Sequence, residues 1–290
     1  MKKAGNLNFF PKGVPFYKMH GCGNDFIIID NRELGLGRDR MGKWARVLCR
    51  RGLGIHADGL FFLDRPPGTE QDLAYVWHFF NKDGSFGEMC GNAARCAAWL
   101  AHALGMAPAE HEFGTLAGRV RARVIQKDAH AGQVRISLPP PRDIGLNMAL
   151  DIQGRSLEVH RVVVGVPHAV VFVEDTEEVD VCGLGRQIRI HGEFAPAGVN
   201  VNFAQVLDSK TIKIRTFERG VEDETFACGT GSASTQFLSR LLGHTDQEAV
   251  LLTRKGHRLI VDAGEESLSL QGPAELTFQG LFSPLRLGLE

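Results

Sequence analysis

Phe80-Asn81-Lys82-Asp83-Gly84, followed by Cys90-Gly91-Asn92, and Phe217-Glu218-Arg219-Gly220, followed by Cys228-Gly229-Thr230-Gly231, are two versions of one pattern. Each begins at the end of an apolar, strand-like run, passes through a polar turn with glycine, and reaches Cys-Gly. A helical apolar pattern follows both times. Phe and Cys are 10 residues apart in the first copy and 11 in the second. Order, residue type and spacing agree together, so the chain reads as two similar halves, each placing one cysteine at a helix N-terminus.

The remaining segments fit around this pair. After Cys90, the apolar positions Ala94, Ala97, Ala98, Leu100, Ala101 and Leu104 predict a helix over 91–104, with Gly105 as its stop. After Cys228, Ala233, Phe237, Leu238, Leu241 and Leu242 predict a helix over 230–242 that stops at Gly243. A third helix is predicted over 39–51 from Met41, Trp44, Val47 and Leu48. Strands are predicted at 26–30, 60–63, 75–80, 119–125, 133–138, 159–164, 169–173, 199–206, 211–217, 249–252, 258–261 and 267–270. Pro139-Pro140-Pro141 cannot continue a central strand and marks the linker. Strands outnumber helices and do not alternate strictly with them, which predicts an α+β fold rather than a doubly wound sheet. Residues 1–14 are expected to be a loosely attached extension.

Composition excludes several classes of function. The 290 residues carry 33 Lys and Arg against 34 Asp and Glu, for a net charge of −1. That balance argues against a nucleic-acid partner and against a polybasic membrane surface. No apolar run reaches spanning length, and no signal-peptide pattern opens the chain. A chain of this size needs no disulfide scaffold. The six cysteines (Cys22, Cys49, Cys90, Cys96, Cys182 and Cys228) contain no Cys-x-x-Cys. A reduced, cytoplasmic protein without a metal site is the expectation.

The first turn of a helix has unpaired N–H groups and partial positive charge. It favours a thiolate, so Cys90 and Cys228 are expected to have lowered pKa values. It also binds a carboxylate. Two such ends facing each other suit removal and return of a proton at the carbon beside a carboxylate. One thiolate takes the proton from one face, and the other thiol gives a proton to the opposite face. The other four cysteines read as small buried side chains.

The segments Met19-His20-Gly21-Cys22-Gly23-Asn24-Asp25-Phe26, Met89-Cys90-Gly91-Asn92-Ala93-Ala94-Arg95-Cys96, Pro167-His168, Glu218-Arg219-Gly220 and Glu224-Thr225-Phe226-Ala227-Cys228-Gly229-Thr230-Gly231 resemble the diaminopimelate epimerase family. The resemblance runs in order from about residue 16 to the C-terminus. It implies two similar domains, each a β-barrel-like mixed sheet around a central helix, with the active site between them. The domains it implies are 1–137 rejoined by 274–290, and 138–273. It implies a cofactor-independent isomerase that converts LL-2,6-diaminopimelate to the meso form, in lysine and peptidoglycan precursor biosynthesis.

By the same resemblance Cys90 and Cys228 are the acid–base pair, and His168 and Glu218 adjust the thiols. Asn24, Asn81, Gly91, Asn92, Asn200, Glu218, Arg219, Gly229 and Thr230 contact the amino-acid substrate. A homodimer is implied, although Phe278 stands where relatives have a tyrosine that supports it. Val166 replaces the family's usual asparagine before Pro-His and bears on substrate identity. Ala94 and His56 stand where glycine is usual, and Cys22 where leucine is usual. The alternatives are a racemase or epimerase of the same fold acting on another amino acid, and a thiol redox or metal-binding protein.

Overall fold

The computed structural model describes residues 13–289 apart from 71, 88, 129 and 266. Most of the extension expected over 1–14 lies outside the described residues. Its last residue does not fit that expectation: Val14 opens a strand and pairs with Phe282.

The first half runs β1 (Val14–Gly21), β2 (Asn24–Asp30), α1 (Arg38–Leu48), β3 (Gly59–Asp64), β4 (Tyr75–Asn81), α2 (Gly91–Ala103), β5 (Glu110–Thr115), β6 (Gly118–Lys127) and β7 (Ala131–Leu138). After β8 (Arg142–Ile152), the order repeats. It continues with β9 (Arg155–Val164), β10 (Val166–Phe172), α3 (Val181–Arg189), β11 (Asn200–Asp208), β12 (Thr211–Glu218), β13 (Asp223–Thr225), α4 (Gly229–Leu241), β14 (Glu248–Leu252), β15 (Arg258–Ala263) and β16 (Leu268–Phe282). Pairing repeats as well. β2 lies parallel to β3, and β10 parallel to β11, each joined by a crossover helix. β4 lies parallel to β5, and β12 parallel to β14, each joined by the helix that follows Cys-Gly.

The sheet closes around α2 because β16 pairs both with β7 and with β1. The same long strand also pairs with β15, so it is shared by the two halves. The result is an α+β fold of two similar barrel-like sheets, each around a central helix. Burial explains the helices. In α2 every residue from Gly91 to Ala101 is buried. The helix is enclosed on every side, and its alanines let the strands approach closely. α4 uses Ser232, Ala233, Ser234 and Thr235 for the same purpose. Both helices stop where predicted, at glycines with φ of +70° (Gly105) and +78° (Gly243).

Five elements were not visible in the sequence, one of them the three-residue β13. β1 has a buried lysine, Lys18, paired to Asp25, which breaks its apolar alternation. β5 reads EHEFGT and is largely polar. β8 is mostly exposed, and register shifts at Gly145 remove its two-residue period. α3 contains two glycines; a Cβ at Gly185 would come within 2.6 Å of the Phe217 Cβ, so glycine interrupts the short apolar stripe of Val181, Leu184 and Ile188. The helix predicted over 39–51 ends earlier, at Leu48, with Cys49 as its cap. His56 adopts φ of +69°, a conformation that costs a non-glycine residue about 1 kcal/mol. Ala94 lies inside α2 and is fully buried, where alanine suits a helix better than glycine.

Trp99 on α2 heads the fully enclosed side chains of the first barrel. Trp99→Ala is expected to lower unfolding stability by about 3–5 kcal/mol, read from urea denaturation. A loss under about 1 kcal/mol would show that the helix does not carry the core.

Candidate active site

Cys90 and Cys228 are the N-cap residues of α2 and α4, and both helices have 13 residues. The two helix starts meet: a Cβ at Gly91 would lie 3.7 Å from the Gly229 Cα, and one at Gly229 only 2.9 Å from Leu270 Cδ2. The two starts are thus in van der Waals range, and glycine at both leaves the backbone open to close approach by a ligand. Each helix has first-turn N–H groups without an intrahelical acceptor, aimed at the same place.

Cys90 is half-buried, and its S–H points to Asn24 Oδ1 at 3.5 Å. Asn92 Nδ2 donates to the same Asn24 oxygen and to the Ala227 carbonyl, at 3.3 Å each. This side chain joins the two halves, since Ala227 directly precedes Cys228. Asn24 Nδ2 in turn donates to Asp58 Oδ2 at 2.7 Å. On the other side, Cys228 Sγ accepts from the Gly231 N–H at 3.3 Å and lies 3.5 Å from Thr230 Oγ1. A Cβ at Gly231 would overlap Asn202 Oδ1 and come within 3.2 Å of Cys228 Sγ.

The thiols do not have the lowered pKa values expected from their helix positions. Burial pushes Cys90 up to about 11, and the N–H groups of Ala93 and Asn92 recover only part of the shift. Burial likewise pushes Cys228 up to about 12, assisted by the negative charge of Glu218, and the Thr230 hydroxyl and Gly231 N–H only partly oppose it. A helix start supplies about half a charge, less than the desolvation of a thiolate costs. An ionised Cys90 further raises Cys228, so a state with one thiol and one thiolate is preferred over two thiolates. Burial and the neighbouring Asp58 push the Glu218 carboxyl up as well.

His168 is fully buried and is pushed down to about 3 by burial and by Arg219, so it is neutral. Asn202 Nδ2 lies 3.2 Å from its Nδ1 and donates to the Ala169 carbonyl, while Thr216 Oγ1 donates to Asn202 Oδ1. The repeat breaks here. Phe61 pairs with Phe79 in the first half where Asn202 pairs with Thr216 in the second, and Phe26 stands opposite Gly59 where His168 stands opposite Asn200. An aromatic cluster has been replaced by a polar one.

Asn200 forms another group: its Oδ1 accepts from the Arg219 N–H at 2.9 Å, and its Nδ2 donates to the Pro167 carbonyl at 3.4 Å. Arg219 Nη1 donates to the Ala197 carbonyl. Asn81 stays within its own exposed turn, donating to Ser85 Oγ. Val166 is half-buried at the start of β10, one residue before the Pro167 carbonyl that Asn200 reaches. Asp58, Ala227, Asn202 and Thr216 were not singled out from sequence. Only Asn202 carried a signal, two residues after Asn200 on a strand and hence on the same face. Among the described residues no group of three His, Cys, Asp or Glu side chains is placed to hold a metal ion, and all six cysteines are free. No helix of the described residues is long and apolar enough to cross a membrane.

Two barrel-like halves with matched helix starts at their junction define the fold, which solved structures share. The fold resembles a phenazine biosynthesis protein of the PhzF family from Bacillus anthracis (TM-score 0.71, 14% identity, 94% of this chain and 99% of that one). It also resembles a hydroxyproline epimerase from Agrobacterium vitis (TM-score 0.69, 15% identity, 94% and 93%). At such identities the likeness concerns the fold alone. Sequence is more specific. Residues 16–138 and 161–277 match the model of the diaminopimelate epimerase family. The diaminopimelate epimerase of Aquifex aeolicus is 40% identical over 282 residues, covering 93% of this chain and 98% of that one. That of Hydrogenobaculum sp. is 38% identical over 278 residues, covering 92% and 97%. The chain belongs to the diaminopimelate epimerase family and is an isomerase.

The raised thiol pKa values predict slow alkylation in the free protein. Iodoacetamide labelling of Cys90 and Cys228, followed by peptide mapping, is expected to speed up about tenfold per pH unit between pH 7 and 10. Fast labelling at pH 7 with a plateau by pH 8 would show low-pKa thiolates instead.

Proposed function

We propose that this chain inverts one α-carbon of LL-2,6-diaminopimelate to give the meso isomer, with Cys90 and Cys228 as the acid–base pair and no cofactor. The observation that supports this most is the meeting of the two Cys-Gly helix starts at Gly91 and Gly229. The α-carboxylate sits on the first-turn N–H groups of both helices, with Asn92 beside it. One sulfur, as thiolate, takes the α-proton, and the electron pair left on carbon delocalises into the carboxylate. The other S–H delivers its proton to the opposite face. Bonds and charge balance, and the thiolate has changed places. Fixed N–H donors stabilise the charge that develops on the carboxylate, an arrangement that supplies several kcal/mol in comparable sites.

Burial of the thiols fits the task. A thiolate with a raised pKa is the stronger base for a weak carbon acid. Glu218 and His168 adjust the thiols in this account, Glu218 by its charge and His168 by remaining neutral. Asn24, Asn81, Asn200, Glu218 and Arg219 hold the substrate, several of them at its non-reacting end. We take the halves to be 1–137 with 274–290, and 138–273. The protein is cytoplasmic in this account, consistent with six free cysteines. Phe278 and Leu281, 47% and 53% exposed on the strand shared by the two halves, form the surface for a second copy. Sedimentation at micromolar concentration reads the dimer directly, and a purely monomeric protein would remove it.

Val166 favours a second reading, in which a different amino acid is the substrate. A valine offers no hydrogen bond at a position where the family resemblance implies an asparagine. Incubation with LL-diaminopimelate in heavy water separates the two. The expected result is meso product with deuterium at the inverted carbon, and at least a thousandfold loss of turnover in Cys90→Ala and in Cys228→Ala, about what a lost general acid or base costs with its geometry. Inactivity on this substrate with inversion of another amino acid would establish the second reading. Full activity in either cysteine variant would overturn the two-thiol mechanism.

A further inference from the structure

Arg95 is wholly buried, and none of the ion pairs among the described residues involves it. A buried guanidinium without a carboxylate is costly, so its hydrogen bonds must be good ones. Nη2 donates to Asn92 Oδ1 at 2.7 Å, Nη1 to the Gly91 carbonyl at 3.2 Å, and Nε to the Pro273 carbonyl at 3.1 Å. Space is made for it: a Cβ at Gly21 would come within 3.0 Å of Nη2, and one at Gly272 within 3.1 Å of Nε. Nη1 lies 3.9 Å from where a Cβ would stand at Gly229. The cation is thus set beneath both helix starts.

The direction of the hydrogen bonds matters more than their number. Arginine only donates, so Asn92 must turn its oxygen to Arg95 and its NH2 group away. That group then donates to Asn24 Oδ1. Asn24 must accept on its oxygen and donate through its NH2 group, which reaches Asp58 at 2.7 Å. An ionised carboxylate only accepts, so the chain has a donor-only end at Arg95 and an acceptor-only end at Asp58. Neither amide can flip without leaving two like groups in contact. The outcome is that an acceptor oxygen, not an NH2 group, faces the Cys90 S–H.

We propose that Arg95 is a positioning residue for the reaction: with Asp58 it polarises the Asn92–Asn24 relay and so fixes the acceptor that orients the Cys90 thiol. This rests on Cys90 being one of the two acid–base thiols. Arg95 makes no hydrogen bond to Cys90; its charge reaches the thiol directly as a small effect that favours the thiolate, and its hydrogen bonds act through the two asparagines.

The test is alkylation of Cys90 relative to Cys228 in Arg95→Met, Arg95→Lys and Asp58→Asn, with turnover measured per folded molecule. In Arg95→Met and Asp58→Asn the labelling ratio is expected to shift by about three- to tenfold, the factor one hydrogen bond carries. In Arg95→Met kcat falls about 10- to 100-fold with KM changed less than about threefold, the signature of a misplaced group. Arg95→Lys keeps the charge but not the planar fork, so it recovers only part of both; full recovery would show that the charge alone acts on Cys90 and would overturn the relay. A merely structural role would lower Tm and leave the labelling ratio of the folded fraction within twofold of wild type; that result overturns the proposal. Asp58 is exposed, so Asp58→Asn decides the matter if the Arg95 variants do not fold. The labelling ratio does not depend on catalysis. Full turnover in Cys90→Ala with a shifted ratio in the Arg95 variants would therefore remove the two-thiol mechanism and leave the relay standing.

Discussion

Two helix N-termini point at one another across Gly91 and Gly229. Ends of like partial charge repel, each carrying about half a positive charge. Arg95 adds a full cation beneath them. Such an arrangement is held by the barrels around α2 and α4, and not by attraction between the helices. The junction is therefore a buried positive focus, and an anion bound there gains from several donors that are already in place. The small side chains along both helices let the strands close around them and hold the two starts in place.

The same constraint explains why the thiols are not simply acidic. A focus of this strength would stabilise a thiolate if water also reached it. Burial removes that water, and the carboxylate of Glu218 adds negative charge nearby. The net effect leaves the proton on sulfur. A carboxylate seated on the helix starts would spend part of the positive field, and the remainder would be shared between two sulfurs that cannot both ionise cheaply. In the proposed mechanism the pair acts as one acid and one base whose roles exchange with each turnover.

Much of this was legible in the sequence because the repeat is carried by local signals. Cys-Gly before an apolar helix, a glycine stop after it and a polar turn before it are short-range features, and both copies kept them. The elements that escaped notice lack a local signal. The inward Lys18 disguises β1, register shifts disguise β8, and glycines disguise α3. At the site, Asn24 and Asn92 stood out only through the family resemblance, and Arg95 read as one more residue of a motif. Its role depends on Gly21, Gly272 and Pro273, which are distant in sequence and meet it only in the fold. The rise of the thiol pKa values was equally invisible, because position on a helix can be read from residues while enclosure by a second half cannot.

The central claim is that one carbon is held between Cys90 and Cys228 with its carboxylate on both helix starts. A crystal structure of the protein with bound meso-diaminopimelate tests it most directly. The account predicts the two sulfurs on opposite faces of the same α-carbon, each within about 4 Å, the reach of a proton transfer between such atoms. It also predicts carboxylate oxygens on the N–H groups at the starts of α2 and α4. A substrate carbon within reach of only one sulfur, or a carboxylate bound elsewhere, would contradict it.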